Sequence, residues 1–121
     1  MAKDLAIAVE DRPGQVASIG ETLGAAGINI EGGFGSGPDG RIHVLVEDAD
    51  GARKALEGAG FRITDERDAL VIQGEDRPGF LGETARKISD AGINIEHLYI
   101  GTNSRIAIIT KDVEGARKAI G

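Results

Sequence analysis

An internal duplication constrains this sequence more than any other feature. Three segments occur twice and in the same order: Glu10–Gly14 and Glu75–Gly79, Ala26–Glu31 and Ala91–Glu96, and Gly51–Ala55 and Gly115–Ala119. The first two pairs are offset by 65 residues and the third by 64, so one intervening turn differs by a single residue. Similarity at a fixed spacing indicates repeated structural units. The sequence therefore predicts two copies of one module, residues 1–67 (copy 1) and residues 68–121 (copy 2).

The first half of copy 1 has the pattern of a strand followed by a helix. From Leu5 to Glu10 the large apolar residues alternate with small or polar ones: Leu5, Ile7 and Val9 with Ala6, Ala8 and Glu10. This alternation predicts a half-buried strand. The Asp-Arg-Pro-Gly turn then opens a helix, with Pro13 in its first turn. Four residues at helical spacing form the apolar stripe of this helix: Val16, Ile19, Leu23 and Ala26. Gly27 ends the helix, because glycine adopts the left-handed cap conformation without steric cost.

The second half of copy 1 predicts a hairpin, a second helix and a fourth strand. The inward residues of the hairpin are Ile28, Ile30 and Phe34 in the second strand, and Ile42, Val44 and Val46 in the third. Residues 52–59 form the second helix, and residues 61–64 form the fourth strand. Only residues 66–68 separate that strand from the first strand of copy 2, residues 70–72, so we expect the two copies to pack as one rigid unit.

These patterns predict an α+β fold in which each copy has the order β-α-β-β-α-β, as in ferredoxin-like folds. Copy 2 lacks the last strand, because the printed sequence stops near the end of its second helix. In this fold the missing strand would flank the first strand of the copy, here residues 70–72. Because unprotected strand edges pair with other strands, we expect this edge to be covered by copy 1 or by a second chain.

Composition narrows the classes of function. The net charge of -6 and the pI near 4.9 argue against a nucleic-acid surface, which needs a basic face. There is no cysteine and no apolar span of 18 residues, so we expect no thiolate chemistry, no membrane contact and a cytoplasmic location. The two histidines, His43 and His97, have no partner at metal-ligand spacing, and His43 is expected to be exposed. No metal is predicted.

The Asp-Arg-Pro-Gly turn carries the strongest chemical signal. Backbone N–H groups at a helix start lack internal partners and attract carboxylates. Asp11 could hold an ammonium group, Gly14 allows close approach to the backbone, and Asn29 offers both a donor and an acceptor. Together they suit a zwitterionic amino acid. The same residues also fit a plain strand-to-helix turn in which Asp11 caps the helix.

The order of elements and motifs resembles that of the ACT domain family: a strand, Asp-Arg-Pro-Gly, an apolar helix, Ala-Gly-Ile-Asn-Ile-Glu and a hairpin. The resemblance covers both copies. It implies a regulatory module that binds an amino acid or a similar small effector, without catalysis and without a cofactor. A homodimer and a protein partner in amino-acid metabolism are also expected. The candidate ligand-binding residues are Asp11, Arg12, Gly14, Gln15, Val16 and Asn29 in copy 1, and Asp76, Arg77, Gly79, Phe80, Leu81 and Asn94 in copy 2.

The two copies differ in the second strand. Gly33 and Gly35 of copy 1 correspond to Leu98 and Ile100 of copy 2. If both strands are regular, the bulky side chains of copy 2 could face bare backbone in copy 1; a bulge near His97 would give the same pattern. On the regular-strand interpretation, the two sites are not expected to be equivalent.

Two other functions remain open from the sequence. One is a protein-interaction subunit for which the partner matters as much as the ligand. The other is a small enzyme on the same fold, such as an acylphosphatase, which needs a Gly-rich anion loop followed by Arg and a suitable Asn. Arg12 and Arg77 precede their glycines, but the rest of that pattern is missing.

Overall fold

The computed structural model describes residues 1–121 and contains seven strands in two antiparallel sheets, with four α-helices. In copy 1 the elements are β1 (Lys3–Ala8), α1 (Gln15–Ala25), β2 (Gly32–Ser36), β3 (Arg41–Val46), α2 (Ala49–Gly58) and β4 (Ile63–Asp68). In copy 2 they are β5 (Leu70–Gln73), α3 (Phe80–Asp90), β6 (His97–Ile100), β7 (Arg105–Ile109) and α4 (Val113–Ile120), with a short 3-10 turn at Thr102–Ser104. The predicted α+β class and the β-α-β-β-α-β order are confirmed. None of the helices is long and apolar enough to span a membrane.

Strand order follows the predicted topology. The first sheet has the order β2-β3-β1-β4 and the second has the order β5-β7-β6. The second sheet lacks a counterpart of β4, which leaves β5 at an edge. No strand of copy 1 pairs with β5, so the expectation that copy 1 covers this edge is wrong. Covering by a second chain stays a prediction.

Each sheet is covered on its outer face by the two helices of its own copy. In copy 1 the alternate residues Leu5, Ile7, Val44 and Val46 of β1 and β3 pack against Ile19 and Leu23 of α1 and Leu56 of α2. In copy 2 Leu70, Ile106 and Ile108 pack against Ile88 of α3 and Ala116 of α4. Burial of these aliphatic side chains supplies the main driving force for each half.

The inner faces of the two sheets pack against each other. A third apolar cluster joins residues of both copies: Ala2, Leu45, Ala69, Tyr99, Ala107 and Ile109. These residues alternate along their strands with those that face the helices. The strand β1 is consequently buried on both faces, because Asp4 bonds to Tyr99 of the other sheet while Leu5 packs with the helices. The prediction of a half-buried strand is therefore wrong.

Two other local expectations also need correction. The second strand begins only at Gly32, and Ile28 and Ile30 pack on the helix side while Phe34 lies on the opposite side. The alternation of side chains between the two sides of the sheet is therefore interrupted between Ile30 and Gly32. The fourth strand runs to Asp68 rather than ending at residue 64, and only Ala69 connects it to β5. Its pairing with β1 extends it beyond what its local sequence indicates.

Candidate functional site

A cleft of about 510 Å³ opens between the start of α1 and the strands β2 and β3. We call it cleft 1. Its apolar walls come from Val9, Val16, Ile19, Ile30, Ile42 and Val44. Its polar residues are Glu10, Asp11, Arg12, Gln15 and Ser36, and its floor includes Gly32, Gly33, Gly35 and Gly37. Phe34 and His43 also belong to the lining, although their rings lie on the opposite side of the sheet. Volume and lining are those of a small-molecule site, mostly apolar with a few polar groups.

The Asp-Arg-Pro-Gly turn places the helix start at this cleft. Gly14 is the N-cap residue of α1 and adopts a φ of 96°, a left-handed conformation that disfavours other residues. No side chain caps α1, so Asp11 is not the cap, and Pro13 precedes the helix rather than lying in its first turn. Both corrections follow from Gly14, whose left-handed turn starts the helix after the proline. The free N–H groups of the first turn therefore remain available to an anion.

Three side chains surround the mouth of cleft 1. Arg12 donates from Nε to Glu10 at 2.5 Å, while no protein group hydrogen-bonds to its two terminal nitrogens. Gln15 accepts the backbone N–H of Glu10 at 3.0 Å through its Oε1. The Asp11 carboxylate lies against the Cα of Gly37, where any side chain would overlap it. A guanidinium with free donors and a nearby carboxylate can receive the two charges of an amino acid.

The structure separates the twelve predicted residues into three groups. Eight line a cleft at the start of a helix: Asp11, Arg12, Gln15 and Val16 in copy 1, and Asp76, Arg77, Phe80 and Leu81 in copy 2. Gly14 and Gly79 cap the two helices and are not among the lining residues of the clefts beside them. Asn29 and Asn94 lie elsewhere. Sequence reasoning missed the apolar walls of cleft 1 apart from Val16, and it did not place Gly33 and Gly35 in the site; the alternation of these two glycines was the available signal.

The two asparagines stand beside contacts between the copies. Asn29 donates to Glu31 at 3.1 Å, and Glu31 accepts from Arg105 of copy 2 at 3.0 Å. Asn94 lines a separate polar cleft of about 390 Å³ near Glu96. In both copies, therefore, the last residue of the Ala-Gly-Ile-Asn-Ile-Glu motif forms an ion pair with an arginine of the other copy.

The second of these pairs joins Glu96 to Arg67 at 2.8 Å, and both side chains are about three-quarters buried. The hydrogen bond from the Arg67 guanidinium lowers the pKa of Glu96 below its ordinary value. The same bond raises the pKa of Arg67. The motif glutamates thus bind the two halves of the molecule together.

The corresponding cleft of copy 2, which we call cleft 2, has a volume of only about 170 Å³. Arg77 donates to both oxygens of Glu83, at 3.1 and 2.7 Å, and to Glu75 at 2.6 Å. Its guanidinium also lies 5.4 Å from the centre of the Phe80 ring. These bonds raise the pKa of Arg77 and lower that of Glu83. The two clefts therefore differ in size and in how fully their arginine is engaged.

The bulky residues of copy 2 do not pack on the glycines of copy 1 in the way the sequence suggested. Leu98 packs into the helix-side core of copy 2, and Ile100 is 65% exposed beside cleft 2. The side chain that approaches the glycine backbone is Tyr99, whose ring lies beside Gly32. Gly32 also forms an antiparallel bridge to Gly101, which joins the edges of the two sheets.

A polar cluster is buried between the sheets. Asp4 is 1% exposed and accepts hydrogen bonds from Tyr99 Oη at 2.7 Å and from His43 Nδ1 at 2.8 Å. We place the proton on Nδ1 because an ionised carboxylate only accepts. Burial and the Asp4 carboxylate raise the pKa of the Tyr99 hydroxyl. These bonds satisfy a buried charge, which is otherwise costly.

His43 is 7% exposed, so the expectation of an exposed histidine is wrong. Its ring stacks on Phe34 with 4.4 Å between centroids and lies 4.9 Å from the ring of His97. Strand alternation places His43 on a face of β3 that would be exposed in an isolated sheet. In the folded chain the second sheet covers this face. No group of three or more His, Cys, Asp or Glu side chains is arranged to hold a metal ion.

The comparisons with known proteins concern both parts of the chain. Residues 69–119 match the family model of the ACT domain. No curated protein matches the sequence. The ligand-free regulatory subunit of aspartate kinase from Thermus thermophilus aligns with a TM-score of 0.75 at 20% identity, over 98% of this chain and 90% of that one. The aspartate kinase regulatory subunit from Thermus flavus gives 0.67 at 24% identity, over 98% and 89%.

A protein from Bacteroides thetaiotaomicron aligns with a TM-score of 0.76 at 23% identity, over 98% of this chain and 85% of that chain. At such identities the similarity concerns the fold, and a fold does not specify a ligand. The second half of the chain thus matches the ACT domain, and the whole chain has an ACT-type fold like that of aspartate kinase regulatory subunits.

Proposed function

We propose that this chain is a non-catalytic regulatory protein, built as a tandem pair of ACT modules, that binds an amino acid or a similar small effector. The observation that carries the proposal is cleft 1, where a helix start, an arginine with free donors and a carboxylate meet an apolar cavity. The match to the ACT domain and the regulatory-subunit fold support it.

The chemistry of cleft 1 suits a ligand with a carboxylate and an ammonium group. The α1 N–H groups and the Arg12 guanidinium donate to the carboxylate, and Asp11 accepts from the ammonium. Ser36 carries the one hydroxyl of the cleft lining, and it makes no hydrogen bond to a base. The ring of His43 lies on the opposite side of the sheet, against Asp4 and Phe34. These features support binding rather than turnover.

A thermal-shift screen against the twenty amino acids tests this function. A ligand at 100 times its Kd stabilises the native state by about 2.7 kcal/mol, which raises the melting temperature by several degrees. The Asp11→Asn variant should lose most of that shift, whereas Asp90→Asn, an exposed change at the end of α3, should keep it. Failure of every amino acid to raise the melting temperature would contradict the proposal.

A second candidate function, binding of a protein partner, rests on the open edge of β5. This strand carries no charged residue, whereas β4, the outer strand of copy 1, is ITDERD. Charges on edge strands discourage pairing, so β5 is the unprotected edge, and we propose that a second copy of the chain pairs there. Light scattering would show a dimer, with hydrogen-exchange protection of residues 70–73 that falls on dilution. A monomer with full protection of these residues would exclude pairing.

A further inference from the structure

Resting on the proposed effector-binding function, we propose that only copy 1 forms the effector site and that its ligand is an amino acid with an aliphatic or aromatic side chain. Copy 2 then serves as a structural counterpart whose site is closed. Two differences between equivalent positions of the two copies support this division: one concerns the space in the cleft and the other concerns the arginine of the turn. The class of ligand follows from the walls of cleft 1.

The difference in space comes from the second strand of each copy. Gly33 and Gly35 lie opposite Val44 and Ile42 in the β2–β3 register and line cleft 1. The equivalent residues of copy 2 are Leu98 and Ile100, opposite Ile108 and Ile106. Where copy 1 has two glycines, copy 2 therefore has two branched side chains. The clefts differ accordingly, at about 510 Å³ against about 170 Å³.

The difference at the arginine comes from the helix that follows each Asp-Arg-Pro-Gly turn. Arg77 is held by Glu83 through both terminal nitrogens, so a ligand carboxylate would have to displace an existing bidentate ion pair. The residue equivalent to Glu83 in copy 1 is Ser18. Arg12 consequently keeps both terminal nitrogens free, with only its Nε engaged by Glu10.

The class of ligand follows from where the charges lie in cleft 1. Its charged side chains, Glu10, Asp11 and Arg12, are consecutive in the turn before α1, while the remaining walls are mostly apolar. An amino acid whose head group binds at the turn would direct its side chain along these apolar walls. A charged side chain there would lose its water without gaining an ion partner, whereas an aliphatic or aromatic one gains from burial.

Isothermal titration calorimetry tests the ligand class and the number of sites. The probes are leucine, isoleucine, valine, methionine and phenylalanine, compared with lysine, threonine and aspartate. We expect binding from the apolar group, at one molecule per chain. The matched variants are Arg12→Gln, which should weaken binding by about tenfold or more, and Arg77→Gln, which should change it by less than about twofold. Circular dichroism checks that both remain folded.

A second pair of variants exchanges the residues that set the volume. Gly35→Ile places in cleft 1 the side chain that copy 2 carries at position 100. Its Cβ would lie 2.9 Å from Cγ1 of Ile42, so that side chain must shift to admit it. This variant should lose binding, while Ile100→Gly should leave the affinity unchanged. Three results would overturn this inference and leave the proposed function standing: two molecules bound per chain, equal effects of the two arginine variants, or preference for a polar amino acid. Absence of binding by all amino acids would overturn the proposed function and this inference with it.

Discussion

The hydrogen bond from Tyr99 to Asp4 allows a direct test of how the two copies are held together. Tyr99→Phe keeps the buried ring and removes only the hydroxyl, which lies 2.7 Å from Asp4 Oδ1. The carboxylate is 1% exposed, so water cannot readily replace the lost donor. Its other bond, to His43 at 2.8 Å, remains. The variant therefore leaves one oxygen of a buried charge without its partner.

A hydrogen bond to a charged group contributes about 1.5–3 kcal/mol, and we expect Tyr99→Phe to lower the free energy of unfolding by that amount. Such a loss is a large fraction of the 5–15 kcal/mol that is typical of a domain. Urea unfolding followed by far-ultraviolet circular dichroism measures it. Fluorescence is unsuitable because the chain has no tryptophan and the variant removes the single tyrosine.

A double-mutant cycle with Asp4→Ala isolates the interaction. If the hydroxyl acts through the Asp4 carboxylate, Tyr99→Phe should cost less than about 0.5 kcal/mol once the carboxylate is gone. An equal loss of stability in both backgrounds would refute the assigned role of Asp4. A loss below about 0.5 kcal/mol in the native background would show that this bond does not hold the sheets together.

Two further predictions concern stability. Gly33→Ala should destabilise the protein by more than about 1 kcal/mol in urea, because the added Cβ would overlap a backbone carbonyl oxygen of β3. Gly58→Ala, whose Cβ meets nothing within 4 Å, should instead be neutral or slightly stabilising. Because Arg67 lowers the pKa of Glu96 below 4.5, this pair adds stability above that pH and loses it as the pH falls through the lowered value. The urea midpoint should therefore fall less between about pH 6 and about pH 3 in Arg67→Gln than in the unmodified protein. Arg62→Gln, a change at an exposed arginine, is the control and should leave that fall unchanged. Equal falls in the two variants would contradict the role assigned to the Arg67–Glu96 pair.

Features set by neighbouring residues were predictable from the sequence. The helix that follows each Asp-Arg-Pro-Gly turn depends on local periodicity and on Gly14 and Gly79, and it places the adjacent polar residues at a cleft. The glycine ends at Gly27 and Gly92 are confirmed by their left-handed φ values of 73° and 76°. Each of these features involves residues within a few positions of one another, so a sequence pattern suffices.

Features that join distant segments were not predictable. Asn29 fits the chemistry of an amino-acid site, yet its side chain bonds to Glu31 beside the ion pair with Arg105. His43 stands at an alternate position of β3 that normally faces water, but the second sheet covers it. The alternation of residues in a strand does not distinguish a face that is exposed to water from a face that packs against another sheet.

The sequence alone thus determined the duplication, the order of strands and helices, and the helix starts that carry the candidate binding residues. Only the tertiary structure decided which faces are buried, since the packing of sheet against sheet joins residues as far apart as Asp4 and Tyr99. It also decided that the two clefts differ in volume. The space that Gly35 leaves, or that Ile100 fills, depends on which strand and helix residues pack around each position. Local propensities act along the chain, whereas the free space at a site results from contacts between segments that the chain order does not bring together.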